Sequence, residues 1–232
     1  HSMGTCTFYG TANSNQMVME AMGLHLPGSS FVHPDTPLRE ALTEAAAKQI
    51  VRLTENSGNY LPIGQLVDEK VIVNGIIVLL ATGGSTNLTM HLVAMARAAG
   101  IMINWDDFSQ LSQVVPLIAR IYPNGPADIN QFQAAGGLAL IIRELLKKGL
   151  IHRDVNTVAG FGIERYTLEP WLNEGKLDWR EGAIQSLDKD VIADINTPFS
   201  SHGGTQVMEG NLGRAVMKTS AVPDENKIIE AP

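Results

Sequence analysis

Before Gly149 the apolar positions recur mostly at three- and four-residue spacing, with short extended-looking runs between them. Met17, Val18, Met19, Ala21 and Met22 give a mostly buried helix that Gly23 closes. The stretch ahead of it, Gly10-Thr11-Ala12-Asn13-Ser14-Asn15, supplies helix-start chemistry, because Ser and Asn side chains cap free N–H groups. Thr36-Pro37 opens the clearest helix: Thr is a good cap, and Pro fits the first helical position, where no N–H is needed. Leu38, Leu42, Ala45, Gln49 and Leu53 set its inner face, and Asn56-Ser57-Gly58-Asn59 ends it. Residues 68–82 read as a second, more buried helix. The β-branched residues among them also fit a strand over the middle, and periodicity leaves the two open. Gly83-Gly84-Ser85-Thr86-Asn87 then breaks the chain sharply, and a helix with Leu88, Leu92, Met95 and Ala99 on one face runs to Gly100.

Further along, Ile101-Met102-Ile103-Asn104-Trp105 reads as a short strand, with Asp106 capping a short helix through Leu111. Residues 116–122 read as another strand, followed by the turn Pro123-Asn124-Gly125-Pro126. Asp128 caps a helical stretch that breaks at Gly136-Gly137 and resumes to Lys148. Helices alternating with short strands predict an α/β fold, a layered α/β domain. After Leu150 the texture changes. Residues 168–182 are polar and are expected to be irregular with a helical turn, and Pro198-Phe199-Ser200-Ser201-His202-Gly203-Gly204 reads as a boundary. Beyond it, Thr205-Gln206-Val207-Met208-Glu209 and Arg214-Ala215-Val216-Met217-Lys218 flank Gly210-Asn211-Leu212-Gly213, a β-hairpin pattern. A lone hairpin is not independently stable, so it is expected to open a β-domain that the chain does not complete.

Composition narrows the functional classes. The 232 residues suffice for one sizeable core, and the net charge of −7 comes without a basic tract, which argues against a nucleic-acid partner. The longest apolar run, 71–81, is too short to span a bilayer, so no membrane role is expected. A single cysteine excludes an internal disulfide and fits a reducing, cytoplasmic location. His1-Ser2-Met3 reads as a cloning remnant, which leads to the expectation that the chain is a piece of a longer protein.

That cysteine, Cys6, lies among Gly, Thr, Ser and Asn just before an apolar helical pattern. A structural cysteine normally sits inside an apolar run, whereas backbone N–H groups and a nearby helix start would favour a thiolate. A buried thiol, a metal ligand and a nucleophile all remain open on this local sequence. One thiolate cannot hold a structural zinc by itself, but it can be one ligand of a cluster. Gly83 to Asn87 is the second candidate. Its two glycines permit close backbone approach to a ligand, the following helix start favours anions, and Ser85, Thr86 and Asn87 add donors; a capped turn is the plainer alternative. His91 lies beside the apolar face of its helix and reads as a core histidine, while the role of His202 at the boundary is open. Arg120, Arg143, Arg165, Arg214 and Lys218 could each meet an anionic substrate, with surface exposure the default. Two other classes stay in view. One is a cysteine-nucleophile hydrolase, with Cys6 activated by His91 or His202; the other is a non-catalytic interaction module.

Several stretches resemble one enzyme family. Thr5-Cys6-Thr7-Phe8-Tyr9-Gly10-Thr11-Ala12-Asn13-Ser14-Asn15-Gln16-Met17 is similar to the cysteine motif of the dihydroxy-acid dehydratase/6-phosphogluconate dehydratase family. Gly83-Gly84-Ser85-Thr86-Asn87, Ala135-Gly136-Gly137 and Gly210-Asn211-Leu212 with Lys218-Thr219 fit the same family. Finer likeness to its 6-phosphogluconate branch lies in Thr7-Phe8-Tyr9-Gly10, Asn104-Trp105-Asp106-Asp107-Phe108, 122–130 and 210–219. The resemblance implies a hydro-lyase that removes water from 6-phospho-D-gluconate, a phosphorylated sugar acid, to give 2-dehydro-3-deoxy-6-phosphogluconate in Entner–Doudoroff sugar breakdown. Dihydroxy-acid or another sugar-acid dehydration is the alternative within the family.

The resemblance also implies a 4Fe-4S cluster held by three cysteines, one of them matching Cys6, with a divalent metal as a further candidate cofactor. On this reading Ser85, Thr86 and Asn87 are expected to line the substrate pocket, and the resemblance implies a homodimer for the full-length enzyme. The family's Cys-Asp-Lys motif and its Thr-Asp-Gly-Arg-hydrophobic-Ser motif do not occur in this chain. The catalytic base is therefore expected outside it, and the chain reads as the middle of a dehydratase, inactive by itself. Residues 4–198 would be the latter part of the α/β domain, and 199–232 the linker and first hairpin of a C-terminal β-barrel.

Overall fold

The structure is a computed structural model that describes residues 6–226 together with 228 and 230. The cloning-remnant reading of His1-Ser2-Met3 lies outside the described residues. Eight α-helices appear among these residues: α1 (Thr11–Ala21), α2 (Pro37–Arg52), α3 (Ile63–Leu66), α4 (Glu69–Thr82), α5 (Asn87–Ala98), α6 (Trp105–Val114), α7 (Ile129–Ala134) and α8 (Gly137–Lys147). Three antiparallel two-stranded ribbons follow: β1 (Asn156–Thr157) with β2 (Gly160–Phe161), β3 (Leu168–Asn173) with β4 (Lys176–Glu181), and β5 (Gln206–Gly210) with β6 (Gly213–Met217).

Helix α4 is the centre of the core. The open choice between helix and strand for 68–82 resolves to helix, because both ends carry strong helix signals. The Asp68 carboxylate accepts the Val71 N–H at 2.9 Å, and Gly83 closes the helix in the left-handed conformation, φ 60°. From Asn74 to Thr82 every residue is buried, under α1, α5, α6 and α8. Each fully buried Ile or Leu here contributes roughly 1.5–3 kcal/mol of transfer free energy. Asn74, the polar interruption, is satisfied by a reciprocal pair with the His152 backbone: its amide donates to the carbonyl at 3.0 Å and its oxygen accepts the N–H at 2.8 Å. Gly75 lets α1 approach closely, since a Cβ there would meet the Met22 Cγ and sulfur at 3.0 Å.

Helix α2 starts at Pro37 behind the Thr36 cap, as expected, and buries fully only Leu42. Helix α6 is capped by Asn104 rather than Asp106, with Asp107 completing a reciprocal capping box. Residues 101–104 form no strand. Ile101 donates back to the Ala96 carbonyl at 2.8 Å, Met102 is 94% exposed, and nothing pairs with this short alternation. Residues 116–122 are extended and mostly buried but make only isolated bridges, to Ser200, Ile192 and Ala127. Their backbone groups find partners elsewhere: Ile118 N–H donates to the Ala81 carbonyl at 2.8 Å, and Arg120 N–H to that of Val191 at 2.9 Å.

Residues 168–182, expected to be irregular, instead form the β3–β4 hairpin. Its turn residues Glu174 and Gly175 both have positive φ, the geometry that matches the twist of paired strands. The Trp179 indole donates to the Pro27 carbonyl at 3.0 Å and ties this hairpin to the loop after α1. The β5–β6 hairpin forms where predicted. The fold is thus mixed α and β, a helical core edged by small antiparallel ribbons. Among the described residues no sheet closes into a barrel, so the expectation of a C-terminal β-barrel is not confirmed.

Candidate functional site

Four segments that are distant in sequence meet at one corner of α4: the Cys6 loop with the start of α1, the 83–87 turn, the 122–126 turn and residues 218–220. The Cys6 loop has no secondary structure, and two long-range backbone bonds hold it. Tyr9 N–H donates to the Tyr122 carbonyl at 3.0 Å, and Ile129 N–H donates to that of Thr7 at 3.1 Å. Buried Asn13 turns its amide back to the carbonyls of Cys6, at 2.5 Å, and Phe8, at 2.8 Å. Phe8 stacks edge-on against Tyr122, centroids 5.5 Å apart. The Tyr9 ring is fully buried, and its hydroxyl bonds the Thr82 hydroxyl at 2.7 Å. Burial raises its phenol far above the ordinary range, so Tyr9 is neutral.

The Cys6 thiol itself is exposed and meets only the Phe8 carbonyl, at 3.7 Å. It precedes Thr11, the first residue of α1, and Gly10 caps that helix without a side-chain bond, so the Ser and Asn residues read as caps do other work. Ser14 accepts the Ser85 N–H at 2.9 Å, and Thr11 bonds the Ser85 hydroxyl at 3.0 Å. The Asn87 amide donates to Thr11 at 2.7 Å. These contacts bind the start of α1 to the start of α5.

The same contacts divide the three candidate residues of the turn. Ser85 is buried, and its N–H and hydroxyl are both engaged internally. The N–H groups of Asn87 and Leu88 bond Ser85, so the first donors of α5 are largely satisfied within the turn. Thr86 is half-buried and Asn87 exposed; among the described residues the Thr86 hydroxyl and the Asn87 side-chain oxygen have no partner.

Behind the turn, Asn124 donates to the carbonyls of Thr82, at 3.2 Å, and Gly83, at 2.7 Å, and accepts the Ser220 hydroxyl at 2.8 Å. Gly83 and Gly204 permit this contact: a Cβ on Gly204 would lie 2.5 Å from the Gly83 Cα, and one on Gly83 would lie 2.6 Å from the Asn124 amide. Asn124, Gly204 and Ser220 also line a neighbouring groove of ≈ 710 Å³ with Arg120, His202 and Thr219. Sequence reasoning did not single out Asn13, Asn124 or Ser220 as parts of a site. Asn124-Gly125 signalled a turn, and no local signal marks a bond from Asn124 to Ser220.

The candidate cations separate clearly. Arg143 pairs with Glu181, Arg214 pairs with Asp106, Arg120 lies over the Phe199 ring at 4.3 Å, and Arg165 is exposed. Lys218 is half-buried, and its ammonium lies 5.8 Å from the Tyr9 ring centroid. His91 is exposed on α5, which corrects its reading as a core residue. His202 bonds Ser201 at 3.0 Å, and no histidine bonds Cys6 among the described residues.

Cys6 fits the part of one cluster ligand: its thiol is exposed on a loop whose backbone is pinned from three sides. Among the described residues no group of three or more His, Cys, Asp or Glu is placed to hold a metal, so the described residues offer a single ligand to such a group. No helix among the described residues is long and apolar enough to cross a membrane.

Comparison with known proteins adds the context. Residues 1–166 match the family described as dihydroxy-acid/6-phosphogluconate dehydratase, N-terminal. The whole chain is 74% identical to phosphogluconate dehydratase of Escherichia coli K12 and 61% identical to that of Pseudomonas aeruginosa, and it spans 38% of the length of each. Against dihydroxy-acid dehydratase of Ignicoccus hospitalis the identity is 35% over 96% of this chain, again 38% of the relative's length. The family match covers well over half of the chain, so the chain belongs to the dihydroxy-acid/6-phosphogluconate dehydratase N-terminal family.

Proposed function

We propose that this chain is the cysteine-bearing central segment of a hydro-lyase that dehydrates 6-phospho-D-gluconate to 2-dehydro-3-deoxy-6-phosphogluconate, in Entner–Doudoroff sugar breakdown in the cytoplasm. The observation that carries the reading is the exposed Cys6 thiol, on a loop that Asn13 pins by its backbone, beside a helix start that Thr11 and Ser14 tie to the 83–87 turn. The identity of 74% to one phosphogluconate dehydratase, against 35% to a dihydroxy-acid dehydratase, favours the phosphorylated sugar acid within the family.

Cys6 would be one of the ligands of an iron–sulfur cluster, with its other ligands outside this chain. When bound, that cluster would supply a Lewis acid for the departing hydroxyl. The chain's own residues orient and enclose. Asn13 fixes the direction of the Cys6 backbone, and the buried Tyr9–Thr82 pair keeps water from beneath the loop. Thr86 and Asn87 present polar groups to the sugar hydroxyls, and Ser85 holds the turn that carries them. The base is expected from another part of the full-length enzyme, and so is the homodimer contact. The hydrolase reading lacks an activating histidine at Cys6 among the described residues.

The test is turnover. A full-length dehydratase carrying this segment is expected to form the 2-keto acid from 6-phosphogluconate, while the 232-residue chain supplied with iron and sulfide forms none. Asn87→Ala in the full-length enzyme should lower kcat/KM roughly tenfold without unfolding, the usual scale of one lost neutral hydrogen bond. Turnover by the isolated chain, or no turnover by the full-length enzyme, overturns the reading.

A further inference from the structure

We propose that Lys218 is a substrate-binding residue of this site, whose ammonium holds one anionic group, carboxylate or phosphate, of the sugar acid. The proposal rests on the dehydratase reading above and adds to it the residue that meets the substrate's charge.

The argument begins with placement. Lys218 follows β6 and precedes Thr219-Ser220, and this short segment is firmly anchored. Ser220 N–H donates to the Gly204 carbonyl at 3.1 Å, and its one hydroxyl proton is shared between that carbonyl, at 2.9 Å, and the side-chain oxygen of Asn124, which in turn holds Gly83. The segment therefore delivers Lys218 to the corner where the Cys6 loop and the 83–87 turn meet. Its ammonium lies 5.8 Å from the ring centroid of Tyr9, three positions beyond Cys6 in the loop.

Lys218 is poorly served there. Among the described residues its ammonium makes no hydrogen bond and no ion pair, and it lies over the face of the Tyr9 ring. Lys70, Lys147, Arg143 and Arg214 each have a carboxylate partner. A half-buried ammonium facing only a neutral phenol ring loses hydration without gaining a counter-charge. Burial accordingly lowers its pKa from 10.5 to about 8, which leaves it mostly charged at neutral pH and ready for an anion. A lysine suits such a group as a compact point charge on a flexible stem. A sugar acid phosphate brings an anion at each end, and either would supply the missing counter-charge.

The experiment compares full-length wild type, Lys218→Met and Lys218→Arg. Steady-state kinetics are read with 6-phosphogluconate and with gluconate, and the thermal midpoint is recorded for each protein. Lys218→Met keeps the packing of the stem, so it should lower kcat/KM for 6-phosphogluconate about 10–100-fold while its thermal midpoint stays equal or rises. Lys218→Arg should recover most of the loss. An equal loss on gluconate identifies the carboxylate as the group held, and a loss confined to 6-phosphogluconate identifies the phosphate. An unchanged kcat/KM overturns the proposal. So does a lowered thermal midpoint in Lys218→Met that Lys218→Arg restores, the mark of an ion pair inside the full-length fold. If wild type fails to dehydrate 6-phosphogluconate, the dehydratase reading falls on its own. Calorimetric binding of 6-phosphogluconate then decides on Lys218: binding by wild type that Lys218→Met loses supports it, and equal or absent binding overturns it.

Discussion

Helices α1 and α2 begin with the same vocabulary of capping residues and use it in opposite ways. At α2 the rule is local: Thr36 accepts the Arg39 N–H at 3.2 Å, Pro37 takes the first position, and the helix stands largely on the surface. At α1, Asn13 and Ser14 lie inside the first turns, fully or nearly buried, and the helix is capped by Gly10 without a side-chain bond. Their hydrogen bonds run to the Cys6 loop and to Ser85 instead. Where a buried side chain passes over its local partner for a distant one, the fold is assembling something that a helix alone does not need. Here it assembles the corner that holds Cys6, the 83–87 turn and Lys218.

The contrast can be broken by mutation. Ser14→Ala leaves the Ser85 N–H without its acceptor at a buried position, and is expected to cost about 2 kcal/mol and to lower dehydratase turnover. Thr36→Ala removes a local cap on the surface and should cost about 1 kcal/mol with turnover unchanged. Denaturant titration and initial rates in the full-length enzyme check both. If Thr36→Ala alters turnover as much as Ser14→Ala does, the distinction between a local and a site-building role fails.

The smallest expected effect is a pH dependence. Lys218 has a pKa of about 8 in the fold and an ordinary value near 10.5 when unfolded. Between these values the unfolded chain holds more protons, so stability rises with pH across that window; below it the fold carries the cost of a desolvated charge. Residual solvent contact reduces the gain to no more than about 1 kcal/mol. Stability curves of wild type and Lys218→Met from pH 7 to 11 should differ by this rise, and parallel curves would argue that Lys218 is well solvated.

The regular part of the fold was legible where signals were local. Asp68 and Gly83 bracket α4, Thr36-Pro37 opens α2, and Gly210 to Gly213 marks the last hairpin. Residues 116–122 read as a strand and are extended, but their partners Ser200 and Ile192 lie far downstream, so they make only isolated bridges, which were not foreseeable as such. The β3–β4 hairpin carried a signal that its polar composition masked: Glu174-Gly175 between strands that each hold a tryptophan. For α6, Asn104-Trp105-Asp106-Asp107 offers several cappers, and geometry selected the first. At the site, Cys6 and the 83–87 turn stood out by residue type, and Lys218 was one of five cations that the sequence did not separate. Asn13, Asn124 and Ser220 did not stand out, because each acts through bonds that only tertiary packing creates.

The central claim is that Cys6 ligates an iron–sulfur cluster in a dehydratase. Its most direct test is anaerobic reconstitution of full-length wild type and Cys6→Ser, with bound iron and sulfide, visible absorbance and 6-phosphogluconate turnover measured on the same samples. Wild type is expected to bind iron and sulfide with broad visible absorbance and to turn over, and Cys6→Ser to lose cluster and turnover together by more than ~100-fold, beyond the 10–100-fold typical of outer-shell partners. A Cys6→Ser protein that keeps both the cluster and its turnover would contradict the account.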